Sequence, residues 1–359
     1  MEWSPTRIMA PGKCDIRRTD ALVVYHFFEK DQSYIHNLAH FLLFGYSEDC
    51  DYLVVIAGQH TIDLPERKNI RYLFTENINN DFGGYCAAIN ALGNDALNYE
   101  FVYFVNSSVR GPFLPPYESR DWKSIFNTKL TDDIGLVGST INILSPASPY
   151  SSYYKANFGG CEPFSHVQTM AYVLPRRSLG YLRDVGFYAN NATLTKEQVI
   201  VRYELLLSQL ILKRNWNIAA ILPEYNRIDY RKAHSGFNSA GARESQGDPS
   251  CKFSYLGRSA HPFEVIFVKT NRHIFNEAYL DRLAYSALCE RVLPDWTDCV
   301  FVTQYIESIL VVDRSSDLVA FGHPSMSKQE ILHWTEALLQ QDPTARVQVD
   351  EILNRHTLT

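Results

Sequence analysis

The chain has 359 residues, of which 46% are hydrophobic and 21% are charged, a composition typical of a globular protein and not of a disordered one. The formal net charge of -6 excludes the basic surface of most nucleic-acid-binding proteins, so we do not expect nucleic acid as a partner. Seven cysteines are spread singly without a CxxC pair, which argues against a disulfide framework or zinc knuckle and predicts a reducing, cytoplasmic location. No apolar run approaches about 18 residues and no apolar leader is seen, so neither a membrane span nor a signal peptide is predicted.

Short apolar runs alternate with amphipathic stretches over residues 21–222. The predicted strands, rich in aromatic and β-branched residues, are 21–28, 51–57, 70–75, 101–105, 134–139, 167–174 and 218–222. Helices are predicted between them at 33–45, from residue 82, and at 122–130, 176–186 and 196–215. This alternation predicts an α/β fold with a mostly parallel central sheet flanked by helices.

Two polar segments interrupt the pattern. Residues 145–165, rich in Ser, Pro, Tyr and Gly, predict a long loop that covers or binds a ligand. Residues 226–262 predict a domain boundary or a second loop. Beyond them we expect a strand at 264–269, a helix at 278–292, a strand at 300–312 and two further helices.

Polar residues follow the buried strand at 101–105, where Asn106, Ser107 and Ser108 end the apolar run. In an open α/β sheet ligands bind beyond the carboxyl ends of the strands, so these are candidate binding residues. Upstream, Asp81 is predicted to cap a helix whose first turn contains two glycines, which allows the backbone to approach a ligand closely. A plain capped helix packed on the sheet is the competing explanation.

Several common sites are excluded because their motifs are missing. No GxGxxG follows the first strand, no Walker A sequence is present, and no GxSxG supplies a hydrolase nucleophile. The remaining interpretation is an α/β nucleotide-binding domain whose site is built at strand ends from Asn, Ser, Asp and Arg side chains.

The order of these segments resembles a known family. ENINNDFGGY at 76–85 opens a helix, a buried strand follows, and NSSVRGPF comes next at 106–113. Further matches lie at 166–169, 204–208 and 259–272. This order resembles the glycosyltransferases of the rhamnan synthesis protein F type and the related polysaccharide-building rhamnosyltransferases of large viruses. The resemblance implies a GT-A fold and transfer of a sugar, with rhamnose or another deoxyhexose as candidates, from a nucleotide sugar to a glycan acceptor.

The resemblance also implies where the donor binds. The residues concerned are Tyr25 and His26 for the base, Asn77, Asn80 and Asp81 for the base or ribose hydroxyls, Gly84 and Tyr85 for the approach of the helix, and Asn106, Ser107 and Ser108 near the diphosphate. The last three occupy the position at which GT-A enzymes carry an Asp-x-Asp that binds a divalent ion. This chain has no carboxylate there.

The missing carboxylates put a metal in doubt, because Mg²⁺ and Mn²⁺ prefer carboxylate and water oxygens. Either the diphosphate completes the shell of an ion with little help from the protein, or Arg110 and His166 replace the ion. The Arg110 guanidinium would then bind phosphate oxygens and stabilise the leaving diphosphate. A structural ion pair at a turn is the competing interpretation of Arg110.

Transfer with inversion needs a base that takes the proton of the acceptor hydroxyl. Glu204, a carboxylate on a mostly apolar helix face, matches the acidic motif of inverting GT-A enzymes and is the predicted base. Asp133, with its neighbour Asp132, is the runner-up, although both residues are equally consistent with solvated acids before a strand.

Two other functions remain open. A sugar-nucleotide nucleotidyltransferase shares the early strands but normally carries a Gly-rich basic loop after the first strand, where this chain has Tyr25 to Glu29. A degenerate, non-catalytic GT-A domain that binds glycan or acts as a scaffold would explain the absent Asp-x-Asp. The predicted organisation is a lead at 1–20, a nucleotide-sugar-binding catalytic core at 21–226, a segment completing it at 227–275 and a mixed α/β extension at 276–359. Peripheral contact with a membrane and the oligomeric state stay open.

Overall fold

The central element of the fold is a twisted sheet, seen here in a computed structural model that describes residues 8–9, 19–189, 192–235 and 248–310. The described strands are β1 (Ile8–Met9), β2 (Ala21–Phe27), β3 (Asp51–Ala57), β4 (Ile70–Thr75), β5 (Phe101–Asn106), β6 (Val109–Arg110), β7 (Ile134–Gly138), β8 (Ile141–Leu144), β9 (Phe164–Val167), β10 (Ala171–Pro175), β11 (Asn217–Ala220) and β12 (Val268–Lys269). The described α-helices are α1 (Gln32–Phe44), α2 (Asn80–Leu92), α3 (Trp122–Asn127), α4 (Pro149–Phe158), α5 (Arg176–Asp184), α6 (Lys196–Val199), α7 (Leu206–Lys213), α8 (Pro262–Val265), α9 (Glu277–Glu290) and α10 (Val300–Leu310).

Eight of these strands form the central sheet in the order β1-β4-β3-β2-β5-β10-β7-β11. Strands β4, β3, β2 and β5 are mutually parallel, and β7 is parallel to β11. Strand β10 pairs antiparallel with both β5 and β7, so β5 and β7 point the same way. The predicted mostly parallel sheet flanked by helices is confirmed. Two small antiparallel pairs, β6 with β12 and β8 with β9, lie outside it.

Both faces of the sheet are buried. Because side chains alternate along a strand, Leu22 and Val24 of β2 belong to one core, whereas Val23, Tyr25 and Phe27 belong to the other. The first core is completed by α2 and the second by α1 and α10. Burial on both faces explains why the strands are continuous apolar runs.

The start of α2 differs from the prediction. Asp81 was expected to cap this helix, but the cap residue is Asn79, and Asp81 lies in the first turn. Asn79 and Asn80 both have positive φ, 57° and 52°, a conformation that asparagine tolerates better than most residues. The Asn79 side chain accepts a hydrogen bond from the backbone N–H of Leu194 (2.8 Å) and donates one to the carbonyl of Ala192 (2.8 Å). The residues that precede α6 are thereby attached to the start of α2.

Three predicted segments have a different structure. Residues 145–165 are not one loop, because Ser148 caps α4, Pro149 occupies its first turn, and β9 follows. The strand predicted at 167–174 is divided between β9 and β10. The strand predicted at 264–269 is mostly wrong, because a capping box of His261 and Glu264 forms the short α8 before β12.

The strand predicted at 300–312 is also wrong over the part that the structure describes, since residues 300–310 form the helix α10. Its buried residues Phe301, Val302, Tyr305 and Ile309 recur with the helical period, which β-branched neighbours obscured. The helix packs on α1, where Tyr305 Oη lies 2.9 Å from His40 Nδ1. No described helix is both long and apolar enough to cross a membrane. The two helices predicted after residue 312 lie outside the described residues.

Candidate active site

A cleft of about 570 Å³ opens at the carboxyl ends of β2 and β5. This is the edge at which parallel α/β sheets bind ligands. Its wall is formed by the end of β2 and the residues after it, the residues at the start of α2, and the end of β5 with the turn after it. The residues before β10, the helical segment from residue 196, and the end of β12 with the residues after it complete the wall. The lining residues are His26, Phe28, Lys30, Tyr34, Asn77, Asn80, Asp81, Asn106, Ser107, Ser108, Thr169, Met170, Lys196, Ile200, Glu204, Lys269, Asn271 and Arg272.

The polar turn after β5 is held by hydrogen bonds within the protein. The side-chain oxygen of Asn106 accepts from both the backbone N–H (3.1 Å) and the hydroxyl (2.5 Å) of Ser108. The Asn106 amide donates to the Asp81 carboxylate at 3.1 Å. The Ser107 hydroxyl accepts from the N–H of Phe28 at 3.0 Å and ties the turn to the end of β2. The predicted residues Asn106, Ser107 and Ser108 therefore line the cleft, but many of their hydrogen-bonding groups already have partners within the protein.

Two carboxylates line the cleft. Burial, and then the negative charge of Glu204, raise the pKa of Asp81 to about 7, while the Asn106 hydrogen bond opposes this shift. Glu204 lies in a π-helical turn (Ile200–Leu205) between α6 and α7, which together form one continuous helical segment. Such turns are rare and occur often at functional sites. The structure therefore brings the predicted base Glu204 into the same cleft as Asp81.

His26 and Gly84 form a close contact at the cleft. A β-carbon on Gly84 would lie 2.3 Å from Cδ2 of His26 and 3.0 Å from Cγ1 of Val55. Gly84 was predicted to let α2 approach the donor; in the structure it lets α2 approach the His26 ring. Burial lowers the pKa of His26 to about 4, so the imidazole is neutral near pH 7. Among the described residues, no hydrogen-bond partner reaches its buried Nε2.

Four cationic side chains line the cleft and were not among the predicted site residues: Lys30, Lys196, Lys269 and Arg272. Arg272 donates to the Asp248 carboxylate at 2.5 Å, and Asp248 accepts from the side-chain amide of Gln168 at 2.8 Å. Arg272 and Lys269 lie within the 259–272 segment of the resemblance, whereas Lys30 comes soon after the end of β2, and Asn106 is the last residue of β5. The rule that assigned Asn106 to the site applies equally to Lys30 and Phe28.

An aromatic surface accompanies these charges. Phe28 and Tyr34 line the cleft near the end of β2, and the Lys30 amine lies 5.8 Å from the Tyr34 ring centroid. The Tyr34 hydroxyl accepts a hydrogen bond from the Asn271 side chain at 3.4 Å. Planar faces beside amide groups are suited to a nucleotide base.

Arg110 does not reach the cleft, which corrects its predicted role at the diphosphate. Its side chain is fully buried and forms ion pairs with Glu277 and, at 3.0 Å, with Asp281. Its Nε donates to the side chain of Asn37 at 2.9 Å. The competing interpretation, a structural ion pair, describes this residue.

Asp133 is also remote from the cleft. It precedes β7, and since β7 runs parallel to β5, this end of the strand lies at the opposite edge of the sheet. Gly138 of β7 and Phe104 of β5 both pair with the same residue of β10, so they lie at the same height in the sheet. Asp133 comes five residues before Gly138, which at the usual rise of a strand places it about 16 Å from that height. Its carboxylate is exposed and paired with Arg231. Asp132 is fully exposed and lies 3.8 Å from Arg177. Neither carboxylate is positioned to act as the base.

Three other predicted residues lie behind the cleft surface. Tyr25 alternates with His26 along β2, so its ring packs on Phe41 (4.7 Å between centroids) in the opposite core. Tyr85 is buried edge-on to Phe104 at 5.1 Å. His166 is buried, which lowers its pKa, and the charge of Glu204 opposes this shift. His166 therefore lies near Glu204 without lining the cleft. Asn77 and Asn80 are exposed and do line it.

The polar turn after β5 does not fit a divalent ion bound by the protein. No group of three His, Cys, Asp or Glu side chains suited to a metal occurs within the described ranges. The oxygen of Asn106 already accepts two hydrogen bonds, and Asp81 accepts one from its amide. Hard cations require several unencumbered oxygen ligands.

Comparison with known proteins gives distant likenesses only. No protein-family profile and no curated protein matches the chain. The bifunctional glycosyltransferase WbbM is 11% identical over 60% of this chain and 40% of its own, with a TM-score of 0.31. A glycosyltransferase involved in glycosylation of the major capsid of PBCV-1 is 14% identical over 51% of this chain and 74% of its own (TM-score 0.25). The mannosyltransferase PcManGT from Pyrobaculum calidifontis, solved with GDP-Man and Mn²⁺, is 11% identical over 91% of this chain and 82% of its own (TM-score 0.31). At such TM-scores these likenesses carry no functional argument.

Proposed function

We propose that the chain is a GT-A glycosyltransferase, which moves a sugar from a nucleotide-sugar donor to a hydroxyl of a glycan acceptor. The supporting observation is one cleft that combines two carboxylates, Asp81 and Glu204, with four cationic side chains. A nucleoside diphosphate requires positive charge, and an acceptor hydroxyl requires a base. The cleft contains groups suited to both requirements.

The donor base is proposed to bind at the end of β2. Phe28 and Tyr34 offer aromatic faces there, and the buried Nε2 of His26 is available to a polar group of the nucleotide. The exposed amides of Asn77 and Asn80 are suited to the base or to ribose hydroxyls. Rhamnose and other deoxyhexoses are the proposed sugars, on the resemblance described above.

In the inverting course, Glu204 is the proposed base. The acceptor oxygen attacks the anomeric carbon of the donor sugar while Glu204 takes the hydroxyl proton. The bond from the anomeric carbon to the phosphate oxygen breaks, and its electron pair leaves on the nucleoside diphosphate. Developing negative charge on that group must be stabilised by the cations of the cleft.

The test is transfer from a panel of UDP-, dTDP- and GDP-sugars to a polysaccharide or oligosaccharide acceptor panel, with calorimetric binding of each donor. We expect binding of at least one donor, and loss of transfer in Glu204→Gln at unchanged donor affinity. The matched control is Asp133→Asn, which removes a remote carboxylate and should leave the rate unchanged. If no donor binds, or if Glu204→Gln transfers at the wild-type rate, the proposal or the role of Glu204 is wrong.

A non-catalytic glycan-binding or scaffold domain is the second candidate, favoured by the neutral Asn106-Ser107-Ser108 turn. It predicts glycan binding without release of nucleoside diphosphate from any donor. A nucleotidyltransferase has less support, because the residues after β2 contain no Gly-rich basic loop.

A further inference from the structure

We infer that the diphosphate of the donor is bound and neutralised by Lys269 and Arg272, without a divalent cation. This inference rests on the proposed function and names the groups that stabilise its leaving group. It replaces Arg110 and His166, which lie outside the cleft lining, with two residues that belong to it.

The segment that carries Lys269 and Arg272 is attached to the turn which, by the resemblance, stands where GT-A enzymes have an Asp-x-Asp. In the β6–β12 pair, Lys269 lies opposite Val109, and Val109 comes three residues after Asn106. The next residue, Thr270, donates its backbone N–H to the carbonyl of Ser108 at 3.1 Å. The fold therefore brings two positive charges, from more than 150 residues further along the chain, to the carboxyl end of β5.

Arg272 is held in place by an anchored carboxylate. Asp248 accepts from Arg272 Nη1 at 2.5 Å, from the Gln168 amide at 2.8 Å and from the N–H of Ser250 at 2.8 Å. Burial raises the pKa of Asp248, but the charge of Arg272 and these hydrogen bonds together outweigh burial and lower the pKa, so the carboxylate stays ionised near pH 7. A guanidinium fixed by a carboxylate on one nitrogen is preorganised to bind phosphate oxygens with its remaining donors.

Lys269 is partly buried at the cleft wall, and within the described chain no carboxylate lies within ion-pair distance of its amine. Its charge nevertheless acts on the cleft, since it opposes the raised pKa of Asp81. A lysine amine held near a polar turn without an acidic partner is available to an anionic ligand.

The same arrangement disfavours a cation. The side-chain oxygen of Asn106 is already occupied by Ser108, and the charges of Lys269 and Arg272 oppose the attraction that Asp81 and Glu204 exert on a metal ion. A diphosphate, in contrast, gains from both charges, and gains further as the leaving group acquires negative charge during transfer.

The experiment is titration calorimetry of the full chain with UDP, GDP and dTDP, each in EDTA and in MgCl₂ or MnCl₂. We expect the diphosphate that binds to do so with the same affinity, within about twofold, in all conditions. Lys269→Met should weaken it by about tenfold or more, the effect of one charge-assisted contact, and should weaken the matching monophosphate less. Lys213→Met, at the far end of the helical segment that bears Glu204, is the matched control and should bind as wild type does.

Binding that requires the metal, or an unchanged affinity in Lys269→Met, overturns this inference and leaves the proposed transferase intact. Absence of binding for every diphosphate, with and without metal, contradicts the donor site itself and both proposals with it. Arg272→Lys gives a second measure, because it keeps the charge and removes the planar fork; it should lose affinity, though less than Arg272→Met.

Discussion

Replacing Gly84 with alanine tests how α2 and His26 together shape the cleft. Alanine is intrinsically better than glycine inside a helix by about 1 kcal/mol, so propensity alone predicts stabilisation. The new methyl would, however, lie 2.3 Å from His26 Cδ2, 3.0 Å from His26 Nε2 and 3.0 Å from Val55 Cγ1. Carbon atoms in contact prefer about 3.5–4.0 Å, so the ring or the helix must move by more than about 1 Å.

The clash outweighs the propensity because the ring has little room. His26 is 4% exposed, and its ring lies edge-on to Tyr85. Overpacking in such surroundings costs about 1–3 kcal/mol, and subtracting the helical gain of about 1 kcal/mol leaves Gly84→Ala destabilised by about 1 kcal/mol, and by about 2 kcal/mol at most. The displaced imidazole should also weaken nucleotide binding in the cleft.

Gly180→Ala is the matched control. Gly180 also lies inside a helix, α5, but the nearest atom to its added methyl is Cδ2 of Leu97 at 3.8 Å, an ordinary contact. This variant should be stabilised by about 0.5–1 kcal/mol. Urea unfolding followed by circular dichroism measures both changes, with equal slopes required for comparison. If Gly84→Ala is as stable as wild type or more so, the close approach of α2 to His26 is not constrained as described.

Three further predictions concern charged groups. The pKa of Asp81 is raised from 3.8 to about 7 in the folded state, so the folded protein keeps a proton that the unfolded chain loses. The free energy of unfolding therefore falls as the pH rises from about 4 to about 7. The free energy of unfolding of Asp81→Asn should therefore rise by about 1–2 kcal/mol relative to that of the wild type between about pH 5 and pH 8, as measured in unfolding titrations. A difference between the two proteins that does not change with pH would show that Asp81 has an ordinary pKa. Arg110→Met leaves two carboxylates without their buried partner and should cost about 3 kcal/mol of unfolding free energy, whereas a cost below about 1 kcal/mol would exclude a structural role. Asp133→Asn should change the free energy of unfolding by less than about 1 kcal/mol, as for an exposed pair, and a larger loss would show a buried role.

The sheet was predictable because its signal is local. Runs such as Phe101–Asn106 are apolar at successive positions, as strands buried on both faces must be, and they alternate with helices. The rule for strand ends then located Asn106 and Ser108 at the cleft. The strand prediction failed over residues 300–310 because their β-branched side chains favour a strand locally, whereas their packing on α1 favours a helix.

The charges of the site depend on contacts that no local pattern specifies. Arg110 is next to the polar turn in sequence, but its acidic partners Glu277 and Asp281 come 167 and 171 residues later. Conversely, Lys269 reaches the turn only through the pairing of β12 with β6. Proximity in sequence therefore pointed to Arg110, which is buried away from the cleft, whereas tertiary pairing brings Lys269 to the cleft.

A crystal structure of the protein with a nucleoside diphosphate, taken from UDP, GDP and dTDP, would test the donor site as a whole. We predict the nucleotide in the cleft between β2 and β5, with its base near Phe28 and Tyr34 and its phosphates against Lys269 and Arg272. Glu204 should face the open side, where an acceptor enters. A nucleotide bound elsewhere, or none bound at saturating concentration, would contradict glycosyl transfer in this cleft.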